Sequence, residues 1–230
     1  DIRYEILDVE EKTLKEYIHQ LKKGVYQGFN VTKPYKEKII PLLDHITPIA
    51  KKIGAVNAIY IENDTVIGDN TDYAGFLGLL KKEKIDVSHK NVCLLGSGGA
   101  AKACYHVLKD LHADVVVSSR RPINYPFDQV IRYEDIKPEK IDIYVQATPV
   151  GTYPKTDESI IPCSFVKEHI VVDLIYNPTK TKIMKAAKRG ISGIDMMIIQ
   201  ALKSEEIWHH QIFKLTEAMH TRLKEVMINE

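Results

Sequence analysis

Residues 92–118 constrain the fold more than any other stretch of the chain. An apolar run, Val92-Cys93-Leu94-Leu95, leads directly into Gly96-Ser97-Gly98-Gly99-Ala100-Ala101; residues 100–111 then read as a helix and residues 113–118 return as a second apolar strand. A strand apolar at every position is buried on both faces, and parallel neighbours need a crossover such as a helix. The pattern predicts a βαβ unit within a parallel sheet covered by helices on both sides. The G-x-G-x-x-A spacing permits a tight turn and a close backbone approach, and the helix N-terminus behind it offers free N–H groups and partial positive charge to a pyrophosphate. Gly96, Ser97, Gly98, Gly99 and Ala100 are therefore the expected phosphate cradle of a dinucleotide site. The plainer alternative is a glycine turn that serves helix packing alone.

The next strand end speaks to which dinucleotide. A site for an unphosphorylated ribose places an Asp or Glu about twenty residues beyond the first glycine. Here the chain reads Val117-Ser118-Ser119-Arg120-Arg121. No carboxylate stands there to repel a phosphate, whereas guanidinium groups match phosphate geometry and stay charged. Arg120, with Arg121 and Ser119 beside it, is the expected partner of the 2'-phosphate of NADP. A solvated arginine pair is the bland reading of the same residues.

Composition removes several other classes. At 230 residues and 44% apolar content the chain is one large domain or two small ones. Basic and acidic residues balance at 32 and 31, so no electrostatic case exists for nucleic acid or a membrane surface. No apolar run approaches the length of a membrane-spanning helix. The three cysteines, Cys93, Cys104 and Cys163, are odd in number and far apart, which fits a reducing, cytoplasmic setting. The nine histidines show no H-E-x-x-H or other ligand spacing, and no metal site is expected.

The first third of the chain has its own pattern. Residues 1–9 read as a strand; Leu14, Tyr17, Ile18 and Leu21 then recur at helical spacing after Thr13, and Gly24 closes the segment. Gly28-Phe29-Asn30-Val31-Thr32-Lys33-Pro34-Tyr35-Lys36 follows, a short strand that Pro34 prevents from continuing as a ladder donor. It places a hydroxyl, an amide and an ammonium on one loop, as a grip on a polyhydroxylated ligand requires. Lys36 is expected to open a helix, where a cation meets the positive end of the dipole. Two further small-polar motifs, Gly54-Ala55-Val56-Asn57 and Gly68-Asp69-Asn70-Thr71-Asp72-Tyr73-Ala74-Gly75, bracket a hairpin turning at Asn63-Asp64. A helix over residues 74–84 connects to the second half, with the domain boundary between residues 73 and 90.

In this order, G-F-N-V-T-x-P-x-K, G-A-V-N and G-x-N-T-D-x-x-G resemble the shikimate dehydrogenase family, NADP-dependent reductases of 3-dehydroshikimate in aromatic amino-acid biosynthesis. The resemblance continues through Ala147-Thr148-Pro149-Val150-Gly151-Thr152, near the family's T-T-P-x-G-M turn. It extends to Asp173-Leu174-Ile175-Tyr176-Asn177-Pro178, similar to D-x-x-Y-x-P, and to Gly193-Ile194-Asp195-Met196 with Gln200, similar to G-L-D-M and the glutamine after it. It implies an α/β fold of two domains with a cleft between them. One is a substrate-binding domain of residues 1–72 plus 197–230, the final helices crossing back over it; the other is a Rossmann-like NADP-binding domain of residues 73–196. It further implies substrate contacts from Thr32, Asn57, Tyr176 and Gln200, and cofactor contacts from Thr148 and Gly193. Ser119 stands where the family's N-R-T has asparagine, and Ala147 and Thr152 also depart from pattern. The family's S-x-S-P motif, which holds the substrate carboxylate, has no counterpart in these 230 residues; it is expected upstream of Asp1, the alternative being that the protein has lost it.

Reducing a ketone requires a hydride on carbon and positive charge or a proton at the oxygen. Lys36 and Asp72 form the one lysine–carboxylate pair in motifs that also carry ligand-binding polar groups, and they are the expected acid–base pair. Thr32, Asn57 and Asp72 also suit plain capping or turn roles. The implied partner is a small molecule, shikimate or 3-dehydroshikimate, and the implied assembly a monomer or homodimer. Two alternatives share these residues: a quinate/shikimate dehydrogenase with relaxed cofactor use, and a catalytically weak NADP-binding sensor module.

Overall fold

The computed structural model describes residues 3–120 and 127–229. In the first unit, Leu14, Ile18 and Leu21 line one face of α1 (Leu14–Lys22) and are buried, as the spacing predicts. Thr13 holds the N-cap position, but its hydroxyl donates to the Glu10 carbonyl at 2.8 Å rather than capping. Then follow β1 (Gly28–Asn30), β2 (His45–Ile46), α2 (Pro48–Ile53), β3 (Ala58–Glu62) and β4 (Thr65–Asp69). The sheet order is β1-β3-β4-β2, with β2 parallel to β4 and the other pairs antiparallel. Asn63 and Asp64 take φ of 48° and 59°, the left-handed values that let a two-residue hairpin follow the twist of its strands. Val56, Ile59 and Val66 meet the apolar face of α1 in one core.

Two expectations for this unit fail. Residues 3–9 form no ladder; they are held by side chains, the Tyr4 hydroxyl donating to Asn30 Oδ1 at 3.1 Å and the Tyr35 hydroxyl to the Val9 carbonyl at 2.7 Å. Among the described residues no strand pairs with them, and Ile6 is 95% exposed. Nor does Lys36 open an α-helix: residues 33–39 form consecutive turns that end in a 3-10 helix, Ile40–Leu42. Pro41 explains this, since its ring clashes with the carbonyl four residues earlier and it has no N–H to continue an α-helical ladder.

The second unit comprises α3 (Asp72–Lys82), β5 (Asn91–Leu95), α4 (Gly99–Asp110), β6 (Asp114–Ser118), β7 (Val130–Ile131), β8 (Ile143–Gln146), β9 (Ile170–Asp173), α5 (Lys182–Ala186), β10 (Arg189–Ser192), α6 (Ile194–His209) and α7 (Glu217–Asn229). All sheet pairs are parallel, in the order β10-β9-β8-β5-β6-β7. Counted from β5 this is the doubly wound dinucleotide-binding order, whose direction reverses between β5 and β8. Val92 and Leu94 join one core with α3 and α4, while Cys93 and Leu95 join another on the opposite face. That two-sided burial is why β5 is apolar at nearly every position.

Helices α3 and α6 pack against each other in antiparallel fashion. Thr71 lies beside Gln200 and Ser204, Gly75 beside Met196 and Gln200, and Lys82 beside Asp195. A Cβ on Gly75 would stand 2.8 Å from the Met196 carbonyl oxygen, so glycine is what allows this approach. The two compact units divide between Asn70 and Thr71. Through the α3–α6 packing, α6 and α7 lie in the second unit. Among the described residues no helix is long and apolar enough to cross a membrane.

Candidate functional site

In the first unit backbone hydrogen bonds fasten the three motifs together. The Val56 N–H donates to the Lys36 carbonyl at 2.7 Å, Val31 N–H to the Asn57 carbonyl at 2.8 Å, and Asn57 N–H to the Asp69 carbonyl at 2.9 Å. The Asn30 side chain also donates to the Asn57 carbonyl, at 3.2 Å, and Asn70 Nδ2 to the Ala55 carbonyl at 2.8 Å. Asp69 Oδ1 accepts from the Asn70 N–H at 2.7 Å and the Thr47 hydroxyl at 2.5 Å, closing the turn out of β4. Thr32, Lys36 and Asn57 are thus carried on neighbouring, mutually braced segments. Thr32 is exposed, Lys36 half-buried and Asn57 only 3% exposed. No α-helix begins at Lys36, so the expected dipole of such a helix is absent there. Thr32 caps no helix either, and its carbonyl accepts from Tyr35 N–H at 2.9 Å in a turn.

Asp72 opens α3 in the second unit and is buried, next to the buried Asn70 and Thr71. The Thr71 hydroxyl reaches Gln200 Oε1 at 3.3 Å and Ser204 Oγ at 3.4 Å, while Gln200 Nε2 donates to the Met197 carbonyl at 3.2 Å. Of the expected residues, Asp72 and Gln200 therefore meet at the same end of the α3–α6 pair. Ser204, one helical turn beyond Gln200, was not singled out by sequence; it follows from helical spacing once Gln200 is placed.

At the carboxyl ends of β5 and β8, where the strand order reverses, the glycine loop takes the geometry a phosphate cradle needs. Gly96 sits at φ +115°, and a Cβ there would lie 2.9 Å from Thr148 Cγ2, so glycine lets the two loops touch. Gly98 is the N-cap of α4 and has no side chain to offer the first-turn N–H groups; the space a Cβ would take is open for 4 Å around. Gly99 and Ala100 form the first turn of α4. An open cradle on a helix N-terminus suits a pyrophosphate. Ser97 Oγ and Ser119 Oγ stand 2.9 Å apart, tying the cradle to the end of β6, and Arg120 beside them is exposed. Arg121 lies outside the described residues.

A buried residue that sequence did not single out organises the next loop. Gln146, wholly buried at the end of β8, accepts from the Thr148 N–H at 3.0 Å and its hydroxyl at 2.9 Å, and donates to the Val150 carbonyl at 3.0 Å. A glutamine closing the apolar run of residues 143–145 was the available signal. At the end of β9, Asp173 accepts from Ile175 N–H at 3.0 Å and the Thr181 hydroxyl at 2.6 Å, bracing the loop that carries Tyr176. Burial pushes its carboxyl up to about 7, against the lowering effect of these two donors. Tyr176, 39% exposed, lines a cavity of about 540 Å³ with Asn177, Met197, Ala201, Leu223 and Met227. Gly193 is demanded by packing, because a Cβ there would lie 2.2 Å from the Leu174 carbonyl oxygen.

A family model described as the shikimate dehydrogenase substrate binding domain matches residues 1–59. A shikimate dehydrogenase (NADP(+)) of Clostridium beijerinckii is 37% identical over 95% of this chain and 86% of its own length. Among solved structures, a chorismate mutase/shikimate 5-dehydrogenase fusion protein from Clostridium acetobutylicum superposes with a TM-score of 0.88 at 35% identity, over 98% of this chain and 85% of that one. Shikimate 5-dehydrogenase from Thermus thermophilus, solved in complex with NADP(H) and shikimate, gives 0.85 at 27% identity, over 96% and 85%. With a doubly wound sheet, an open glycine loop at the α4 N-terminus and identity at this level along nearly the whole chain, the protein belongs to the shikimate dehydrogenase family.

Proposed function

We propose that this chain catalyses the reversible NADPH-dependent reduction of 3-dehydroshikimate to shikimate, in the cytoplasm. The observation that carries the reading is the open cradle at Gly98 on the α4 N-terminus, in a chain 37% identical to an NADP-dependent shikimate dehydrogenase over 95% of its length. Three cysteines without a disulfide support the reducing compartment. Residues 96–100 and the α4 N-terminus would hold the pyrophosphate, with Ser119, Arg120 and Arg121 on the 2'-phosphate and Thr148 and Gly193 along the remainder. When bound, the cofactor supplies the hydride. The substrate would be held by a domain of residues 1–72 plus 197–230, with Tyr176 reaching it from the NADP-binding domain of residues 73–196.

The chain's own contribution is charge and position at the reacting oxygen. Lys36 Nζ would donate to the carbonyl oxygen as it gains charge, and Asp72 would orient the lysine and accept from the neighbouring ring hydroxyl. Thr32, Asn57, Gln200 and Tyr176 would bind the other hydroxyls. A site that satisfies its polar groups with substrate hydroxyls rejects analogues that lack them. The backbone bond between Val56 and Lys36 supports this reading, because it ties the ammonium-bearing loop to the segment that carries Asn57.

The test is absorbance in the NADPH band with shikimate and NADP+, with quinate and NAD+ substituted in parallel. Rapid reduction with shikimate and NADP+ alone is the expected result. Preference for quinate or NAD+ would move the assignment to the sister activity, and NADPH binding without turnover would replace it with a sensor. Lys36→Ala should lower kcat by about 100- to 10,000-fold with a smaller change in KM. Unchanged turnover in that variant would remove Lys36 from the mechanism.

A further inference from the structure

The last helix is attached in an unusual way. Of residues 217–227 in α7, His220 alone is buried, at 6% exposure, while Met219, Leu223 and Val226 are 43%, 41% and 51% exposed. A helix that docks by hydrophobic burial sinks an apolar stripe; this one sinks an imidazole. His220 Nε2 pairs with Asp195 Oδ1, itself only 2% exposed in the first turn of α6, and Lys82 Nζ from the last turn of α3 lies 3.5 Å from the same oxygen. Three helices therefore converge on one buried carboxylate. One turn beyond His220, Leu223, and then Met227, form a wall of the cavity whose other residues include Tyr176, Asn177 and Met197.

We propose that His220 is a positioning residue: by pairing with Asp195 it pins α7 to α6, so that Leu223 and Met227 close the cavity that receives the ring of the substrate beside Tyr176. This rests on the functional reading above, which places a ring-bearing reactant at Tyr176. The physical reason is that a buried pair is weak as a source of stability yet costly to break, since loss of one partner leaves a charge or polar group stranded. A clasp of that kind sets where α7 sits rather than how tightly the unit folds. Asp195 retains Lys82 when His220 is lost, so α6 keeps its place on α3 while α7 is released.

The experiment compares wild type with His220→Ala, His220→Gln and Leu223→Ala as full chains, well below their melting temperatures. Hydrogen exchange of amides 217–227 is measured beside steady-state constants for shikimate and NADP+. His220→Ala should expose the α7 amides and raise KM for shikimate about tenfold, the scale of a lost apolar wall, with kcat changed less. His220→Gln, whose amide nitrogen reaches the place of Nε2, should restore both readouts. Leu223→Ala should reproduce the KM effect with α7 still protected. Protected α7 amides in His220→Ala, or exposed amides with KM unmoved, would overturn the proposal. If wild type turns over no shikimate, the functional reading fails, and the positioning role fails with it even where exchange shows the pin to exist.

Discussion

Asp173→Asn should change the pH dependence of stability in a direction opposite to that of most carboxylates. Asp173 is wholly buried, and its carboxyl is pushed up to about 7 from 3.8. Between those values the folded protein keeps a proton that the unfolded chain has released. Stability contributed at this site is therefore fully present at the acid end, declines as pH rises through the window, and levels off above about 7. A separation of roughly three units corresponds to about 4 kcal/mol at full span, of which about 2–3 kcal/mol falls between pH 5 and 8. Asparagine fits the same place without a charge, its carbonyl accepting from Ile175 N–H and its amide donating to Thr181 Oγ1. The assay is urea unfolding followed by the fluorescence of Trp208, the chain's one tryptophan, which lies on α6 in the same unit. Relative to wild type, Asp173→Asn should gain about 2–3 kcal/mol from pH 5 to pH 8. A difference between the two proteins that stays constant across that range would refute the argument.

Other perturbations separate ligand effects from packing effects. Gly98→Ala fills open space at an ordinary φ of −79°, so the melting temperature should hold while the dissociation constant for NADPH, by fluorescence titration, rises about tenfold or more. Arg120→Ala should raise KM for NADP+ by about 10- to 100-fold, the loss of one charged phosphate contact, and leave KM for NAD+ nearly unmoved. Gln146→Leu strands the Val150 carbonyl and the Thr148 N–H in a half-buried turn and should cost about 1–3 kcal/mol by urea unfolding.

The parts of the fold that could be read from sequence are those where one residue type has one physical meaning. The apolar run of β5 implied burial on both faces, Asn63-Asp64 implied the hairpin, and the spacing of Leu14, Ile18 and Leu21 marked the buried face of α1. Lys36 does not open the expected helix because the ring and missing N–H of Pro41 decide the outcome. Residues 3–9 have the composition of a strand, but composition describes only a willingness to pair, and a ladder needs a neighbour. The clasp at Asp195 was invisible for a different reason. His220 lies 25 residues further on, and helical spacing on either element alone marks neither residue as buried.

Glycine shows where motif reading stops. Gly98 and Gly193 both belong to family motifs and both read as places where a ligand approaches the backbone. Around the Cβ position of Gly98 there is open space on the N-terminal side of α4, so a side chain there displaces no part of the chain, and on the proposed reading it meets the cofactor. At Gly193 the excluded atom is the Leu174 carbonyl oxygen, 2.2 Å away, so what would be excluded is the chain itself. The two substitutions should therefore fail differently: alanine at position 98 leaves a folded protein with a weakened cofactor site, and alanine at position 193 forces β9 and the start of α6 apart. Sequence supplies the same letter for both. Only the neighbouring atoms say whether a glycine makes room for chemistry or for packing.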